Sequence, residues 1–129
     1  MGWKDSVEFS TMVGKTLVSI VKNSDDDELL FETTDGEKYR MYHSQNCCES
    51  VTIDDICGDL EDLIGSPILV AEEAISEGKN PDGVPVPDYQ DSFTWTFYKI
   101  DTAKGGVTIR WYGDSNGYYS ESVDFEKVI

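Results

Sequence analysis

The feature that most constrains the fold is a strand-like alternation of large and polar side chains in the last third of the chain. Residues 93–98 alternate Phe, Trp and Phe with Thr and Tyr, and residues 107–112 alternate Val, Ile and Trp with polar partners. A two-residue period of this kind is typical of strands whose two faces have different surroundings. Turn sequences at 104–106 and 114–117 then predict a returning strand at 118–123. This region predicts a three-stranded antiparallel meander.

The N-terminal half predicts a second three-stranded meander. Residues 15–21 are rich in β-branched side chains, and residues 29–32 alternate again after an acidic break at 25–27. Asp35-Gly36 is a strong hairpin turn signal, and residues 38–42 follow it as the third strand.

The segment between the meanders mixes strand and helix signals. Residues 50–53 and 68–72 are predicted strands, whereas the acidic cap at 54–55 and the apolar spacing that follows predict a short helix to residue 64. Prolines and glycines at 77–91 predict a loop. The expected fold class is α+β: a single antiparallel β-rich domain over residues 1–129, with two three-stranded meanders and one or two short helices.

The charge of the chain excludes some classes of partner. Ten basic residues against 26 acidic residues leave a net charge of −16. Because phosphates attract Lys and Arg clusters, we expect no direct nucleic-acid binding and no binding to an anionic membrane. The charge suits a basic partner surface, but taken alone it favours the simpler interpretation of an acidic protein kept soluble by its charge. The absence of a signal-peptide core and of a long apolar run predicts a cytoplasmic protein with reduced thiols.

The only histidine and all three cysteines fall within 15 residues of each other and form the candidate metal site. Three thiolates and one imidazole complete a tetrahedral shell, which predicts Zn²⁺ bound by the four residues His43, Cys47, Cys48 and Cys57. Their spacing lacks the paired Cys knuckles of zinc fingers. The cysteines are also interpretable as small core residues. Nearby carboxylates such as Glu49 would extend the ligand set to a site with an open position.

No catalytic motif accompanies this cluster. The sequence holds neither a Gly-x-Ser-x-Gly nucleophile elbow nor a Gly-rich phosphate-binding loop, and His43 is its one imidazole. We therefore predict that the protein is not an enzyme. The Tyr-rich turn at 112–119 is interpretable as a recognition surface, or as a tight hairpin whose tyrosines pack on the sheet.

Several segments carry a resemblance to a known protein family. They are residues 35–43, 45–51, 55–65, 94–99 and 108–113, within a region that runs from residue 14 to residue 125. In these segments the chain resembles a family of small uncharacterised proteins of bacteriophages and mobile elements in Gram-positive bacteria, a domain of unknown function. Some streptococcal phage members of this kind look like anti-CRISPR proteins, including a metal-containing inhibitor of the type II effector nuclease.

The resemblance implies an inhibitor that acts in the host-cell cytoplasm. The Cys-Cys pair, the downstream Cys and the His of the family correspond to Cys47, Cys48, Cys57 and His43, and they imply a structural zinc. An acidic surface would bind a type II CRISPR effector nuclease and block DNA loading. The candidate contacts are Asp25, Asp26, Asp27, Asp59, Glu61 and Asp62. The alternatives are a metal-dependent phage enzyme or small-ligand-binding protein using His43 and Asp59, and a structural or regulatory phage protein without metal.

Overall fold

The computed structural model describes residues 5–84, 86 and 90–128, and these residues form two antiparallel β-sheets. The strands are β1 (Asp5–Ser6), β2 (Leu17–Lys22), β3 (Glu28–Thr33), β4 (Lys38–Tyr42), β5 (Ser50–Cys57), β6 (Ile68–Glu77), β7 (Ser92–Thr102), β8 (Gly105–Ser115) and β9 (Asp124–Lys127). Two short 3-10 turns, at Phe9–Met12 and Leu60–Leu63, complete the described elements. No helix in these residue ranges is long and apolar enough to cross a membrane.

The expectation of an α+β fold with helices is wrong, because the described residues contain no α-helix. The predicted helix at 54–64 divides into the second half of β5 and a single 3-10 turn. A bulge between Ile53 and Asp55 lets β5 continue along β8, where Asp55 pairs with Arg110. The strand pairing outweighs the helical spacing of the apolar residues. Only Leu60–Leu63 coils, and the Asp59 side chain caps it by accepting from the Glu61 N–H at 3.0 Å.

The first sheet has the strand order β1-β9-β4-β3-β2. The predicted N-terminal meander of β2, β3 and β4 is confirmed. The prediction that the chain returns along β8 at 118–123 is wrong, because the next strand, β9, pairs with β4 and β1 instead. Burial of an aromatic side chain explains the change of sheet. Phe125 stacks on Tyr39 with ring centroids 5.6 Å apart and meets Phe9 edge-on at 5.1 Å.

The second sheet has the order β5-β8-β7-β6, with β6 at one edge. The predicted hairpin of β7 and β8 is confirmed, and β6 runs to Glu77, beyond the predicted end at residue 72. The predicted loop at 77–91 carries no strand or helix after Glu77 in its described part; residues 85 and 87–89 lie outside the described residues. The crossing segment before β9 passes closely over β8. A Cβ on Gly113 would lie 2.8 Å from the carbonyl oxygen of Glu121.

The core lies between the inner faces of the two sheets. Phe31 and Met41 of the first sheet share a buried cluster with Tyr98 and Trp111 of the second. The Trp111 Nε1–H donates to the Met41 sulfur at 3.2 Å. The aromatic row predicted at 93–97 lies on the opposite face of β7 from Tyr98, because residues alternate between faces along a strand. That outer face is partly covered by the loop before β7, whose Asn80 accepts from Trp95 Nε1 at 3.0 Å.

Candidate functional site

The predicted metal region begins with a buried ion pair between His43 and Glu49. The His43 Nε2 lies 2.7 Å from a Glu49 carboxylate oxygen, and Nδ1 lies 2.6 Å from the Ser122 carbonyl oxygen. Both ring nitrogens are therefore engaged by oxygen atoms of the protein, one of a side chain and one of the backbone. Only 3% of the His43 side chain and 0% of the Glu49 side chain is exposed. The pair therefore joins the loop at 43–49 to the segment that leads into β9.

Glu49 organises this loop through its carboxylate. The backbone N–H groups of Asn46 and Cys47 donate to it at 2.8 and 2.9 Å. Burial acts to raise the pKa of Glu49, but the hydrogen bond from His43 and those from the backbone N–H groups outweigh it and lower the pKa to about 2. The carboxylate is thus charged and fully used by protein donors, which indicates a structural role in shaping the loop.

The structure does not bring the four predicted zinc ligands together. A disulfide joins Cys47 to Cys48, whereas the sequence led us to expect reduced thiols. Cys57 is a free, exposed thiol at the far end of β5, roughly 23 Å along the strand at the usual rise per residue. Within residues 5–84, 86 and 90–128, no group of three or more His, Cys, Asp or Glu side chains is placed to hold a metal ion. The arrangement does not fit one zinc shell, and zinc binding stays a prediction.

The first predicted acidic contact run lies at the turn between β2 and β3. Asp25, Asp26 and Asp27 are exposed there. Lys22 Nζ approaches an Asp26 carboxylate oxygen at 2.5 Å, and the Asn23 amide donates to Asp27. The negative charge of this turn is therefore partly balanced by a cation of its own strand.

The second predicted acidic run surrounds the 3-10 turn that follows β5. Asp59 and Glu61 are exposed, and Asp62 is half-buried. Residue Ile64, at the end of this turn, bridges to Leu17 at the start of β2, so the two predicted runs lie at opposite ends of that strand. They do not form one continuous patch. Lys104 Nζ, which donates to the Ile64 carbonyl oxygen at 2.6 Å, again places a cation nearby.

A more extensive acidic surface follows the edge strand β6, and we call it the β6 trench. Three successive depressions form it, the largest with a volume of about 680 Å³, between β6 and the segments at 6–10 and 119–125. Its acidic lining residues are Glu8, Glu72, Glu73, Glu77, Asp91, Glu121 and Asp124. No Lys, Arg or His lines it in the part of the chain that the structure describes.

Neutral hydroxyl groups, rather than cations, hold two of the trench carboxylates, Glu73 and Glu121. Glu121 accepts from Thr94 Oγ1 at 2.8 Å and from Ser115 Oγ at 2.6 Å, and Glu73 accepts from the Tyr98 hydroxyl at 2.6 Å. Burial, and then the hydrogen bond to the Glu73 carboxylate, raise the pKa of Tyr98, which keeps this hydroxyl protonated as a donor. Glu72 differs from these two carboxylates, because it lies on the opposite face of β6 from Glu73 and pairs across the strands with Lys99.

The negative charge of the trench affects an adjacent side chain. Asp114 lies on β8 beside Glu121. Its own burial, and then the negative charge of Glu121, raise the pKa of Asp114 above its ordinary value. The region around the trench thus has a negative potential that a positively charged ligand would relieve.

Comparison with known proteins gives a family but no function. A family model described as a domain of unknown function (DUF7448) matches residues 10–125. The chain belongs to the DUF7448 family. No curated protein and no solved structure matches it. The DUF7448 match includes the loop at 43–49 and every trench carboxylate except Glu8.

Sequence reasoning missed the trench because its charges come from separate segments. Glu8 precedes the first 3-10 turn, Glu73 lies on β6 and Glu121 lies before β9. The search for contiguous acidic runs found the turn at 25–27 and the segment at 59–62 instead. The acidic residues at 72–73, 91 and 121–126 were visible as separate local signals, and only the pairing of the sheets shows that β6 lies at an edge near the others.

Proposed function

We propose that this DUF7448 chain is a non-enzymatic binding protein that inhibits a nucleic-acid-handling partner by covering its basic surface. The observation that supports this most directly is the β6 trench, whose described lining contains no Lys, Arg or His and includes the carboxylates Glu8, Glu72, Glu73, Glu77, Asp91, Glu121 and Asp124. A surface of this kind attracts Lys- and Arg-rich patches over long range and accelerates association with them.

The specific target of the proposal is a type II CRISPR effector nuclease, encountered in the host cytoplasm by a phage-encoded protein. This part rests on the sequence resemblance. Such nucleases hold nucleic acid in a positively charged channel, so an acidic protein seated there would compete with target DNA for the same side chains. The expected result of binding is a block of DNA loading.

The use of His43 also supports a binding role over catalysis. Both of its ring nitrogens are occupied, by the Glu49 carboxylate and by the Ser122 carbonyl oxygen. A general base needs a ring nitrogen that can reach a substrate proton. The chain's one imidazole is thus committed to joining the loop at 43–49 to the segment before β9. Zinc is not part of the proposal, because its four predicted ligands do not meet.

The exposed runs Asp25, Asp26, Asp27 and Asp59, Glu61, Asp62 remain candidate secondary contacts. Both carry a neighbouring lysine, Lys22 in the first case and Lys104 in the second. We therefore expect each run to contribute less to the attraction of a basic partner than the trench does.

A direct binding measurement tests the proposed function. The full chain is titrated against a guide-loaded type II effector nuclease at low and at high ionic strength, with and without target DNA. The proposal requires association that weakens as salt is raised and that target DNA prevents. Absence of binding at low ionic strength would exclude this target.

A further inference from the structure

Most of strand β6 has a free hydrogen-bonding edge. The strand pairs only with β7, and Gly78 N–H donates to the Phe93 carbonyl oxygen at 2.9 Å, just past the end of the strand. In an antiparallel ladder, alternate residues exchange both backbone bonds with the partner and the others point theirs away. Counting back from Gly78, the backbone groups of Ala71, Glu73, Ile75 and Glu77 point away from β7.

Only the start of this outer edge is covered. Gly14 N–H donates to the Ile68 carbonyl oxygen at 2.7 Å, and Ile68 N–H donates to the Lys15 carbonyl oxygen at 2.9 Å. In the described ranges, no backbone hydrogen bond joins residues 71, 73, 75 or 77 to a further strand. Ala71 is buried as well, so the open part of the edge begins at Glu73 and runs for about 13 Å to Glu77.

The open edge and the trench lie side by side. The side chains of Glu73 and Glu77 belong to β6 itself, and Glu121 faces them from the segment before β9. An extended peptide added along β6 would direct every second side chain to this inner side. Carboxylates there select Lys or Arg at alternate positions of the incoming strand, while its backbone bonds to the free edge.

We propose that the free edge of β6 binds an extended segment of a partner protein with Lys or Arg at alternate positions, which adds as a fifth strand to the second sheet. This inference rests on the proposed function and names the way in which the acidic surface would hold its partner. Exposed charges on an edge strand also serve to prevent aggregation. A second copy of the chain is a poor occupant, because its own β6 would bring Glu72, Glu73 and Glu77 against the same residues.

The test uses short synthetic peptides and the full chain. One peptide alternates Lys with Thr, a second has the same composition with its lysines contiguous, and a third is the alternating peptide with its edge-facing amides N-methylated. Affinities are measured by fluorescence anisotropy at low ionic strength. We expect the alternating peptide to bind on the order of tenfold more tightly than either of the others. The contiguous peptide cannot place its lysines at alternate positions, and the N-methylated peptide cannot donate its backbone hydrogen bonds to the edge. Equal affinity of all three would overturn strand addition in favour of unspecific attraction.

Amide hydrogen exchange locates the bound peptide on the protein. The N–H groups of Glu73, Ile75 and Glu77 are expected to become protected when the alternating peptide saturates the chain, whereas the amides that bond to β7 are protected already. Binding without new protection at these three positions would contradict the inference. Protection that rises with protein concentration in the absence of peptide would also overturn it, by showing that a second copy occupies the edge.

The outcomes separate the inference from the proposed function. Salt-dependent binding to the effector nuclease without protection of the β6 edge would refute strand addition and leave the inhibitor proposal standing. Protection of the edge by the alternating peptide, together with no binding to the nuclease, would support strand addition and exclude that target.

Discussion

The outer face of the first sheet and the β6 side of the second sheet both carry acidic residues, but in different surroundings. On the first sheet, Glu37 lies between Lys15 Nζ at 2.9 Å and Lys127 Nζ at 3.0 Å. Arg40 similarly pairs with Glu28 and approaches Glu126 at 3.8 Å. In the trench, Glu73 and Glu121 accept hydrogen bonds from hydroxyl groups instead. Carboxylates are therefore paired with cations on the first sheet and with neutral hydroxyl groups in the trench.

The pKa shifts run in opposite directions in the two regions. The hydrogen bonds from Lys15 and then Lys127 lower the pKa of Glu37 to about 2. Burial and then the charge of Glu121 raise the pKa of Asp114. A lowered pKa means that the fold favours the carboxylate, and a raised one means that the fold disfavours it. Acidic residues contribute to stability on the first sheet, whereas near the trench they are retained at a cost, as expected of a binding surface.

Neutralising the trench is expected to have the largest effect on partner binding. We expect the triple variant Glu77→Gln, Asp91→Asn and Glu121→Gln to weaken binding of a basic partner by about thirtyfold at low ionic strength, since three rim charges are lost. Titration of the alternating peptide measures this.

A matched control removes the same number of charges from strand β3 of the first sheet and the turns on either side of it. The variant Asp25→Asn, Glu32→Gln and Asp35→Asn carries an identical net charge but leaves the trench intact. We expect its affinity to fall by no more than about threefold. Equal losses in the two variants would show that binding depends on total charge alone and would remove the distinction between the two regions.

The buried pair of His43 and Glu49 is the strongest case of a compensated acid, and Glu49→Gln is expected to lower the melting temperature by several degrees. The substitution removes the charge that holds His43 and weakens the bonds from the Asn46 and Cys47 N–H groups. Circular dichroism melting measures the loss. Because the pKa of Glu49 is lowered, its contribution is present above the ordinary Glu pKa of about 4.5 and is lost as the pH falls toward about 2. A melting temperature equal to that of the wild type would contradict the structural role of the pair.

Glu37 and Asp114 are expected to respond to neutralisation with opposite signs. Glu37→Gln removes a favourable interaction and should lower the melting temperature by roughly 2 °C at neutral pH, whereas Asp114→Asn removes a disfavoured charge and should raise it by a similar amount. Because the pKa of Asp114 is raised in the folded protein, folding stability falls as the pH rises from the ordinary Asp pKa through the raised one. In acid the carboxyl is protonated in both the folded and the unfolded state, so the benefit of Asp114→Asn should vanish there. Shifts of the same sign would refute the contrast.

Local signals in the sequence predict the hairpins well. Asp35-Gly36 correctly indicates the turn from β3 to β4, and the predicted turn at 104–106 overlaps the observed one at 103–104, with Gly105 and Gly106 as the first residues of β8. Both succeed because a two-residue alternation and a Gly-containing turn act within one hairpin. Local signals do not predict the position of β9, because it depends on the burial of Phe125 against Phe9, which belongs to a distant segment of the chain.

The candidate site was less accessible to sequence reasoning for a related physical reason. The clustering of His43 with three cysteines is a local feature, and the structure shows that it does not produce spatial proximity, since β5 carries Cys57 away from the loop. The trench is the converse case. Glu8, Glu73 and Glu121 are remote in the chain and meet only because the sheets pack as they do.

The smallest expected effect is that of Cys57→Ser, which tests the predicted zinc shell. The thiol is exposed and lies at the opposite end of β5 from the disulfide, so its replacement should change the free energy of unfolding by less than about 0.5 kcal/mol. Metal analysis of protein purified without added zinc should give the same zinc content for Cys57→Ser as for wild type, with Cys48→Ser as the matched control. If Cys57→Ser instead removed about one zinc per chain together with thermal stability, all four residues would have to meet. To bring the four residues together, β5 would have to end before Cys57 and the loop at 43–49 would have to refold. The trench is built from other segments, so it would be the part of the molecule that this change affects least.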